Sequence, residues 1–265
     1  MLGSGAAFTR SVRPAGHHLT DLPLSHGGAA HVKRRAAWVS WSSGKDSAWA
    51  LHRALADPTL EVRGLLTTMT TAFDRVSMHA VRRRLLEDQA RRLHLPLRTV
   101  ELPWPCPNQV YEAAFMEALQ VAAGQDIKAV VFGDLFLEDV RAYREHLLAP
   151  TSLEPCFPLW AEDTTQLADE MLSAGLRARV TCIDPRVLDA SVAGRLWDAA
   201  VLRDLPAAVD PCGERGEFHT YVVDSPDFTS PVEVEAGERV LRDGFWFADL
   251  LPPASPADAS PHPGD

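Results

Sequence analysis

The hexapeptide SSGKDS, residues 42–47, lies between an apolar segment and a segment of helical periodicity. The backbone amides of such a turn, together with the N-terminus of the following helix, can bind an anion. Gly44 lets the backbone approach a phosphate closely, Lys45 supplies positive charge, and Asp46 can hold Mg²⁺. The spacings of two common phosphate loops, GxxxxGK[ST] and GxGxxG, are absent here. We interpret residues 42–47 as a phosphate site, with an ordinary Ser/Gly/Asp turn as the alternative.

Two other polar clusters could join this site. Gly133 and Asp134 end the apolar segment VVFGDL and would lie beside residues 42–47 if the two strands were neighbours. The segment CGERGEFHTY, residues 212–221, carries two glutamates, two glycines and a histidine. Acidic groups on a flexible backbone suit the recognition of a substrate amine or the deprotonation of attacking ammonia. A strand-ending turn and a charged surface loop are the respective alternatives.

Alternating strand and helix signals surround these clusters. The patterns predict strands at 37–40, 61–68, 97–102 and 127–133, and helices at 47–56, 79–93 and 108–123. This order indicates an α/β fold with a doubly wound parallel sheet, whose carboxyl edge would carry residues 42–47 and, on a neighbouring strand, Gly133 and Asp134. A second, smaller α/β lobe is expected to follow. The expected divisions are a disordered leader at 1–35, a first domain at 36–135, a second lobe at 136–230, a β-hairpin at 231–250 and a disordered tail at 251–265.

Composition narrows the class of protein. The chain has 265 residues, 46% of them apolar, and a net charge of −10, which disfavours a nucleic-acid partner. The basic segment VRRRLLEDQARRLH, residues 81–94, is interpreted as a solvated helix face. The four cysteines form no CxxC pair, and no apolar run is long enough for a membrane span, so we expect a cytoplasmic protein. The scarcity of lysine beside abundant Arg, Ala and Pro indicates a GC-rich, bacterial genome.

The three clusters, in this order, resemble the motifs of a known family. SSGKDS is similar to the pyrophosphate loop (PP-loop) of the N-type ATP pyrophosphatases, and the full set resembles the diphthine–ammonia ligases over residues 37–230. The resemblance implies a HUP-like, adenine nucleotide alpha hydrolase-like fold, with a PP-loop ATP-binding domain at 36–135 and a substrate-binding lobe at 136–230. It also implies that ATP and Mg²⁺ are bound, that a substrate carboxylate is adenylated with release of pyrophosphate, and that ammonia then forms an amide.

The resemblance assigns roles to residues of this chain. The implied ATP-binding residues are Ser42, Ser43, Gly44, Lys45, Asp46, Ser47, Gly133 and Asp134. The implied substrate-binding residues are Glu214, Gly216, Glu217, His219 and Thr220. Lys45, Asp46 and Glu217 are the implied catalytic residues, and Asp46 is the implied magnesium ligand. We expect Lys45 and Asp46 to lie on a solvent-facing turn.

Two residues depart from the family pattern. Ser43 stands where the family usually has glycine, so either its φ is negative or some backbone strain is accepted. His219 stands where the diphthamide enzymes usually have glutamate, which replaces a fixed anion by a group that titrates near pH ~6.5. The substrate could therefore carry a different charge. His79 and Arg82 are further candidates to face the cleft, with a polar helix start as the alternative.

Other functions remain open from the sequence. A nucleotide-binding sensor without turnover would need the same phosphate loop, and so would a PP-loop enzyme that modifies tRNA. The acidic net charge and the lack of paired cysteines disfavour the tRNA enzyme. A nucleotide hydrolase is a third alternative. The expected partners are a small-molecule or protein carboxylate and ammonia, and a homodimer is an open alternative to a monomer.

Overall fold

The computed structural model describes residues 34–77 and 79–253. Residues 1–33 of the predicted leader and 254–265 of the predicted tail lie outside these ranges, whereas residue 35 begins the first strand and residue 251 ends the last. The described residues form two β-sheets and six α-helices. None of these helices combines the length and the apolar character that a bilayer crossing requires.

The first sheet confirms the predicted parallel arrangement. It consists of β1 (Arg35–Ser40), β2 (Leu60–Thr70), β3 (Arg75–Val76), β4 (Leu97–Leu102), β5 (Ala129–Val131) and β6 (Glu154–Cys156). β1 pairs in parallel with β2 and β5, β2 pairs in parallel with β4, and β5 pairs in parallel with β6. The short β3 runs antiparallel to the end of β2. β6 comes from the segment expected to build the second lobe, and it extends this sheet instead.

Helices cover both faces of the first sheet. They are α1 (Lys45–Ala56), α2 (Arg83–Leu93), α3 (Asn108–Gly124) and α4 (Glu138–Leu148). Within β1, Ala37 and Val39 belong to the core that includes α1 and α2, whereas Ala36 and Trp38 belong to the core that includes α3 and α4. Successive side chains of a strand point to opposite faces, so an apolar strand such as β1 can support two cores. This is the doubly wound arrangement.

The second sheet is antiparallel throughout. It consists of β7 (Arg177–Ile183), β8 (Leu196–Trp197), β9 (Phe218–Asp224), β10 (Glu235–Arg242) and β11 (Phe245–Leu251). The predicted C-terminal hairpin is present as β10 and β11, and β11 continues the sheet by pairing with β7. α5 (Thr164–Ser173) and α6 (Ala199–Asp204) accompany this sheet.

β9 connects the second sheet to the loop after β1. The backbone N–H of Val222 donates to the carbonyl oxygen of Ser43 at 3.0 Å, and the Thr220 hydroxyl accepts from the N–H of Lys45 at 3.1 Å. Segments far apart in sequence therefore meet at the carboxyl end of β1, where open α/β sheets bind ligands.

Candidate functional site

A cavity of about 210 Å³, here called cavity A, lies at the carboxyl end of β1. It is bounded by the loop after β1, the end of β5 and the segment before and within β9. The sequence-predicted residues that line it are Ser42, Lys45, Asp46, Ser47, Gly133, Asp134, Glu214, His219 and Thr220. Ser43, Gly44, Gly216 and Glu217 are predicted site residues that do not line it. Most members of all three polar clusters thus meet in one cavity.

Hydroxyl groups hold the loop after β1 in its curled form. The Gly44 N–H donates to Ser42 Oγ at 3.3 Å, and the Ser42 N–H donates to Ser47 Oγ at 3.3 Å. Ser47 Oγ in turn donates to the Gly44 carbonyl oxygen at 2.9 Å. The loop amides at Ser42, Gly44 and Lys45 are therefore satisfied by hydroxyls. The Ser42 hydroxyl itself donates to Ser47 Oγ at 3.1 Å, so it would have to rotate out of this hydrogen bond to donate to an anion in cavity A.

The backbone of Ser43 is strained, as one of the two expectations for this position stated. Its φ is 70°, in the left-handed region that favours glycine, and its side chain is buried. The Ser43 Oγ has no hydrogen-bond partner among the described residues. Its carbonyl oxygen accepts from Gln89 Nε2 at 3.1 Å and from the Val222 N–H at 3.0 Å. These two hydrogen bonds hold the peptide in a conformation that serine alone disfavours.

The expectation that Lys45 faces solvent is wrong. Lys45 is the first residue of α1, and its side chain is 2% exposed. The ammonium contacts both carboxylate oxygens of Asp46, at 2.8 and 2.9 Å, and the carbonyl oxygen of Cys212. It also lies 5.5 Å from the Trp197 ring centroid and 5.4 Å from that of Phe218. The long stem lets the charge reach partners that come from distant parts of the sequence.

The Lys45 ammonium stays charged despite its burial. Burial, the largest single cause, lowers its pKa, but Asp46 and the other nearby acidic groups together outweigh burial and raise the pKa above its ordinary value. Asp46 is 27% exposed and lines cavity A, so its carboxylate can reach a bound ligand while it pairs with Lys45. The expectation of an exposed turn therefore holds better for Asp46 than for Lys45.

Gly133 allows β5 to end directly against α1. A Cβ atom at Gly133 would lie 2.8 Å from the Asp46 carbonyl carbon, 2.9 Å from its oxygen and 2.9 Å from the Ser47 nitrogen. Such distances are too short for any side chain, so this close approach requires glycine. The positions of Gly133 and Asp134 beside residues 42–47 agree with the sequence-based expectation.

Asp134 meets a basic residue that the sequence analysis missed. Arg144 Nε of α4 lies 3.5 Å from Asp134 Oδ2, and the guanidinium carbon lies 5.3 Å from the Phe132 ring centroid. Burial raises the pKa of Asp134, and Arg144 opposes that shift. Asp134 Oδ2 forms no hydrogen bond within the described residues. The segment EDVRAYRE showed a helix, but no spacing rule indicated that Arg144 would turn towards the cavity.

The two glutamates of the segment 212–221 have different environments. Glu214 lines cavity A, and its Oε1 accepts from the Leu135 N–H at 2.8 Å. Burial raises the pKa of Glu214 to about 7. Glu217 instead accepts from the N–H groups of Asp210, at 3.0 Å, and Arg215, at 2.9 Å. The Glu217 carboxylate therefore shapes the loop, and it lies away from cavity A.

Two histidines lie where cavity A meets its neighbours. The rings of His79 and His219 are 4.6 Å apart between centroids. Burial lowers the pKa of His219 to about 4 and, with repulsion from His219, that of His79 to about 3. Both are neutral at pH 7. The expectation that His79 faces the cleft is confirmed, whereas Arg82 does not line the cavity and pairs with Asp249, at 2.5 Å.

A second cavity, cavity B, adjoins the first on the side of the parallel sheet. It has a volume of about 410 Å³, and His79, Ser40 and Ser42 line both cavities. The apolar side chains along it include Leu66, Val76, Leu102, Trp104 and Phe115. Its size and apolar lining suit a flat ring system attached to a group in cavity A.

Gln89 is a fully buried polar residue whose role the sequence analysis missed. Its side chain is fully buried, and its Oε1 accepts from Trp41 Nε1 at 2.9 Å. Its Nε2 donates to the carbonyl oxygens of Ser43, at 3.1 Å, and Val222, at 2.7 Å. Gln89 thus joins α2, the loop after β1 and β9. Gln89 belongs to the segment 81–94, which was interpreted as a solvated helix face because of its many arginines.

No group of three or more His, Cys, Asp and Glu side chains within residues 34–77 and 79–253 is arranged to hold a metal ion by itself. Mg²⁺ is commonly held by one or two carboxylates together with phosphate oxygens. Asp46 and Asp134, whose Oδ2 accepts no hydrogen bond within the described residues, provide such carboxylate oxygens in cavity A. The residues present therefore fit a magnesium ion that shares its ligands with a phosphate group.

Comparisons with family models and with curated proteins point to the same family. The model of the diphthamide synthase N-terminal domain matches residues 35–150, and that of the diphthamide synthase C-terminal domain matches residues 163–249. Among curated proteins named diphthine–ammonia ligase, that of Danio rerio is 29% identical over 151 residues, that of Homo sapiens 24% over 159 and that of Rattus norvegicus 23% over 150. These alignments cover 55%, 58% and 55% of this chain and 59%, 60% and 56% of the relatives. The chain spans less than two thirds of the length of these relatives.

Proposed function

The chain belongs to the diphthamide synthase family, and from that premise we propose that it is an ATP-dependent ligase that joins ammonia to a substrate carboxylate. The observation that carries the proposal is cavity A, where the loop after β1, the end of β5 and the segment before β9 present cationic, hydroxyl and carboxylate groups together. In an open α/β sheet this is the position at which nucleotides bind. Cavity B, beside it, supplies an apolar place for the adenine ring.

The proposed reaction has two steps. The substrate carboxylate attacks the α-phosphorus of ATP, and the bond between the α- and β-phosphates breaks, so that pyrophosphate leaves. Ammonia then attacks the acyl carbon and AMP leaves. Ser42, Ser47 and the N-terminus of α1 would bind the departing phosphates, while Lys45 and Arg144 supply positive charge. Catalysis would come from positioning and charge stabilisation, without a nucleophilic side chain.

Magnesium would be held by Asp46 and Asp134 together with phosphate oxygens. When bound, it supplies positive charge that offsets the charge of the phosphates. Asp46 also fixes the Lys45 ammonium, so it orders two sources of positive charge at the same place.

Glu214, which lines cavity A, can take up the proton that attacking ammonia releases, because its pKa of about 7 lies near neutral pH. His79 and His219 lie at the edge of the cavity, but their pKa values of about 3 and 4 make them weak bases, so they stay neutral at pH 7. We assign proton transfer to Glu214, rather than to Glu217, because the Glu217 carboxylate is occupied by two backbone N–H groups.

The identity of the carboxylate that accepts ammonia is a separate proposal. The relatives are named for diphthine as their substrate, and diphthine is one candidate for this chain. The replacement of the usual glutamate by His219 favours an acceptor of different charge. The bacterial origin, the cytoplasmic location and the homodimer stay predictions.

A sulfur-transferring tRNA enzyme receives no support from the two buried cysteines, Cys182 and Cys212. Sulfur transfer needs a thiolate. Burial raises the pKa of Cys182 to about 12 and also raises that of Cys212 well above its ordinary value. These two thiols therefore stay protonated at neutral pH.

The proposal is tested by the products formed from ATP. With Mg²⁺, an ammonium salt and a panel of carboxylates, we expect AMP and pyrophosphate, measured by phosphorus NMR. Asp46→Asn should lower pyrophosphate formation at least tenfold, because it removes a carboxylate charge from cavity A. Asp57→Asn, at the other end of α1, is the matched control and should keep full activity. Formation of ADP and inorganic phosphate would favour a hydrolase, and ATP binding without any product would favour a sensor.

A further inference from the structure

A third cavity, cavity C, opens beside the candidate site. It has a volume of about 340 Å³ and lies between the β2–β3 region and the C-terminal hairpin. Its walls carry four aromatic side chains, those of Phe73, Trp104, Phe245 and Phe247. Phe73 and Trp104 are 44% and 59% exposed, and their ring centroids are 5.7 Å apart. The cavity therefore offers an apolar wall to a ligand from solvent.

Cavity C communicates with the candidate site through the segment 212–221. His219 lines both cavity A and cavity C, and Gly216 lines cavity C. Gly216 has a φ of 86°, which turns the backbone along this edge. A molecule held in cavity C can therefore extend past His219 and place a carboxylate in cavity A.

The charged groups of cavity C are mostly cationic. Four arginines line it, namely Arg75, Arg186, Arg215 and Arg242, against the two carboxylates of Asp184 and Asp243. This excess of positive charge stands out in a chain whose net charge is −10.

The arginines differ in how far they are already paired. Arg186 is paired with Asp184 at 2.6 Å, and Arg75 is paired with Asp249 at 2.8 Å. Arg215 is exposed and lies 3.7 Å from a Glu217 oxygen.

The Arg242 guanidinium is available to pair with an anion. Its guanidinium carbon lies 5.7 Å from the Phe73 ring centroid, and within the described part of the chain no carboxylate pairs with it. A guanidinium stacked on an aromatic ring keeps its hydrogen-bond donors free for a carboxylate.

We propose that cavity C binds the acceptor of the ligase reaction as a small organic dianion. Its flat apolar body would pack against the aromatic wall, one carboxylate would be held by Arg242 and Arg215, and the other would extend past His219 to react in cavity A. This assignment rests on the proposed ligase function. A cationic acceptor is disfavoured, since the cavity holds more arginines than carboxylates and His219 adds no fixed negative charge.

The test measures binding to cavity C without ATP, so that its result is independent of the nucleotide site. Phthalate, benzoate and benzyltrimethylammonium are titrated calorimetrically into the full chain at low ionic strength. These probes share a flat ring and differ in charge. We expect phthalate to bind at least tenfold more tightly than benzyltrimethylammonium, with benzoate in between.

Two arginines of the same strand give a matched pair of variants. Arg242→Gln should weaken phthalate binding at least tenfold. Arg239 is exposed on the opposite face of β10, three residues away, so Arg239→Gln removes the same charge and should leave the affinity within twofold. Phthalate affinity no greater than that of benzyltrimethylammonium, or equal losses in both variants, would overturn the proposal. ATP binding that fails while phthalate binding follows this pattern would reject the ligase function alone.

Discussion

At the scale of single residues, Ser43 combines two unfavourable features. Its φ of 70° is costly for a residue with a Cβ atom, and its buried hydroxyl lacks a partner within the described residues. Ser43→Gly removes both features and adds some entropy to the unfolded chain. We expect a net gain of about 1 kcal/mol in the free energy of unfolding, measured by urea titration.

Ser43→Ala separates the two causes. Alanine lacks the hydroxyl but keeps the penalty of the positive φ, so it should gain less than glycine. If Ser43→Gly were no more stable than the wild type, the strain attributed to this loop would not exist.

Glu214 gives a residue-scale prediction about pH. Its pKa rises from the ordinary 4.5 to about 7 on burial. Between these values the folded protein keeps a proton that the unfolded chain has released, so its contribution to stability is full below pH 4.5 and is lost as the pH rises towards 7. Glu214→Gln keeps an acceptor for the Leu135 N–H but cannot ionise. The variant should therefore gain about 2 kcal/mol over the wild type across this pH range, after allowance for partial exposure.

The comparison of Tm between variant and wild type isolates this carboxyl group. His79 and His219, whose pKa values are lowered, act in the opposite direction and affect both proteins equally. Glu117→Gln, on the exposed side of α3, serves as the control and should follow the wild-type pH dependence. Parallel Tm curves for Glu214→Gln and the wild type would show that Glu214 titrates normally.

At the scale of elements, the contact between the end of β5 and the start of α1 depends on Gly133. Its substitution by alanine would force a Cβ atom to within 2.9 Å of the Asp46 and Ser47 backbone. We expect Gly133→Ala to lose about 2 kcal/mol of stability and most of the pyrophosphate formation, because the loop after β1 would be displaced. Thermal unfolding and the pyrophosphate assay measure the two effects.

Gly124→Ala is the matched control for this prediction. A Cβ atom at Gly124, the last residue of α3, would meet nothing within 4 Å. This substitution should leave activity unchanged and stability equal or slightly higher. Equal behaviour of the two alanine variants would contradict the close contact at Gly133.

The sequence predicted elements well where the signal was local. The apolar segment of β1 and the polar turn before α1 are adjacent in the chain, so their pattern indicated both a central strand and its ligand edge. β6 has only three residues, too few to show a period, and its place in the first sheet depends on pairing with β5. The position of β6 therefore depends on tertiary contacts, which the local sequence pattern does not show.

Residues that act through distant contacts could not be predicted. Lys45 is buried because Cys212, Trp197 and Phe218, more than 150 positions away, surround its ammonium. Gln89 resembled any polar residue of a basic helix, yet it donates to the carbonyl oxygen of Ser43 in the loop after β1 and to that of Val222 in β9. Spacing rules describe neighbours along one element, whereas these contacts join the two sheets.

At the scale of the whole molecule, the two sheets contribute different parts of the candidate site. The first sheet supplies the loop after β1 and the apolar cavity B, and the second supplies the segment 212–221. Cavity C has walls from the β2–β3 region of the first sheet and from the C-terminal hairpin of the second. His79 and His219 lie where the three cavities meet. In the proposed reaction, this arrangement would place phosphate, nucleoside and acceptor on three sides of one centre.

The central claim is that cavity A holds the triphosphate of ATP, and calorimetric titration of the full chain with Mg·ATP tests it most directly. We predict one Mg·ATP bound per chain, with at least tenfold weaker binding of Mg·AMP, because AMP lacks the phosphates that Ser42, Ser47 and Lys45 would contact. Absence of binding heat at millimolar Mg·ATP, or equal affinity for Mg·AMP, would contradict the account.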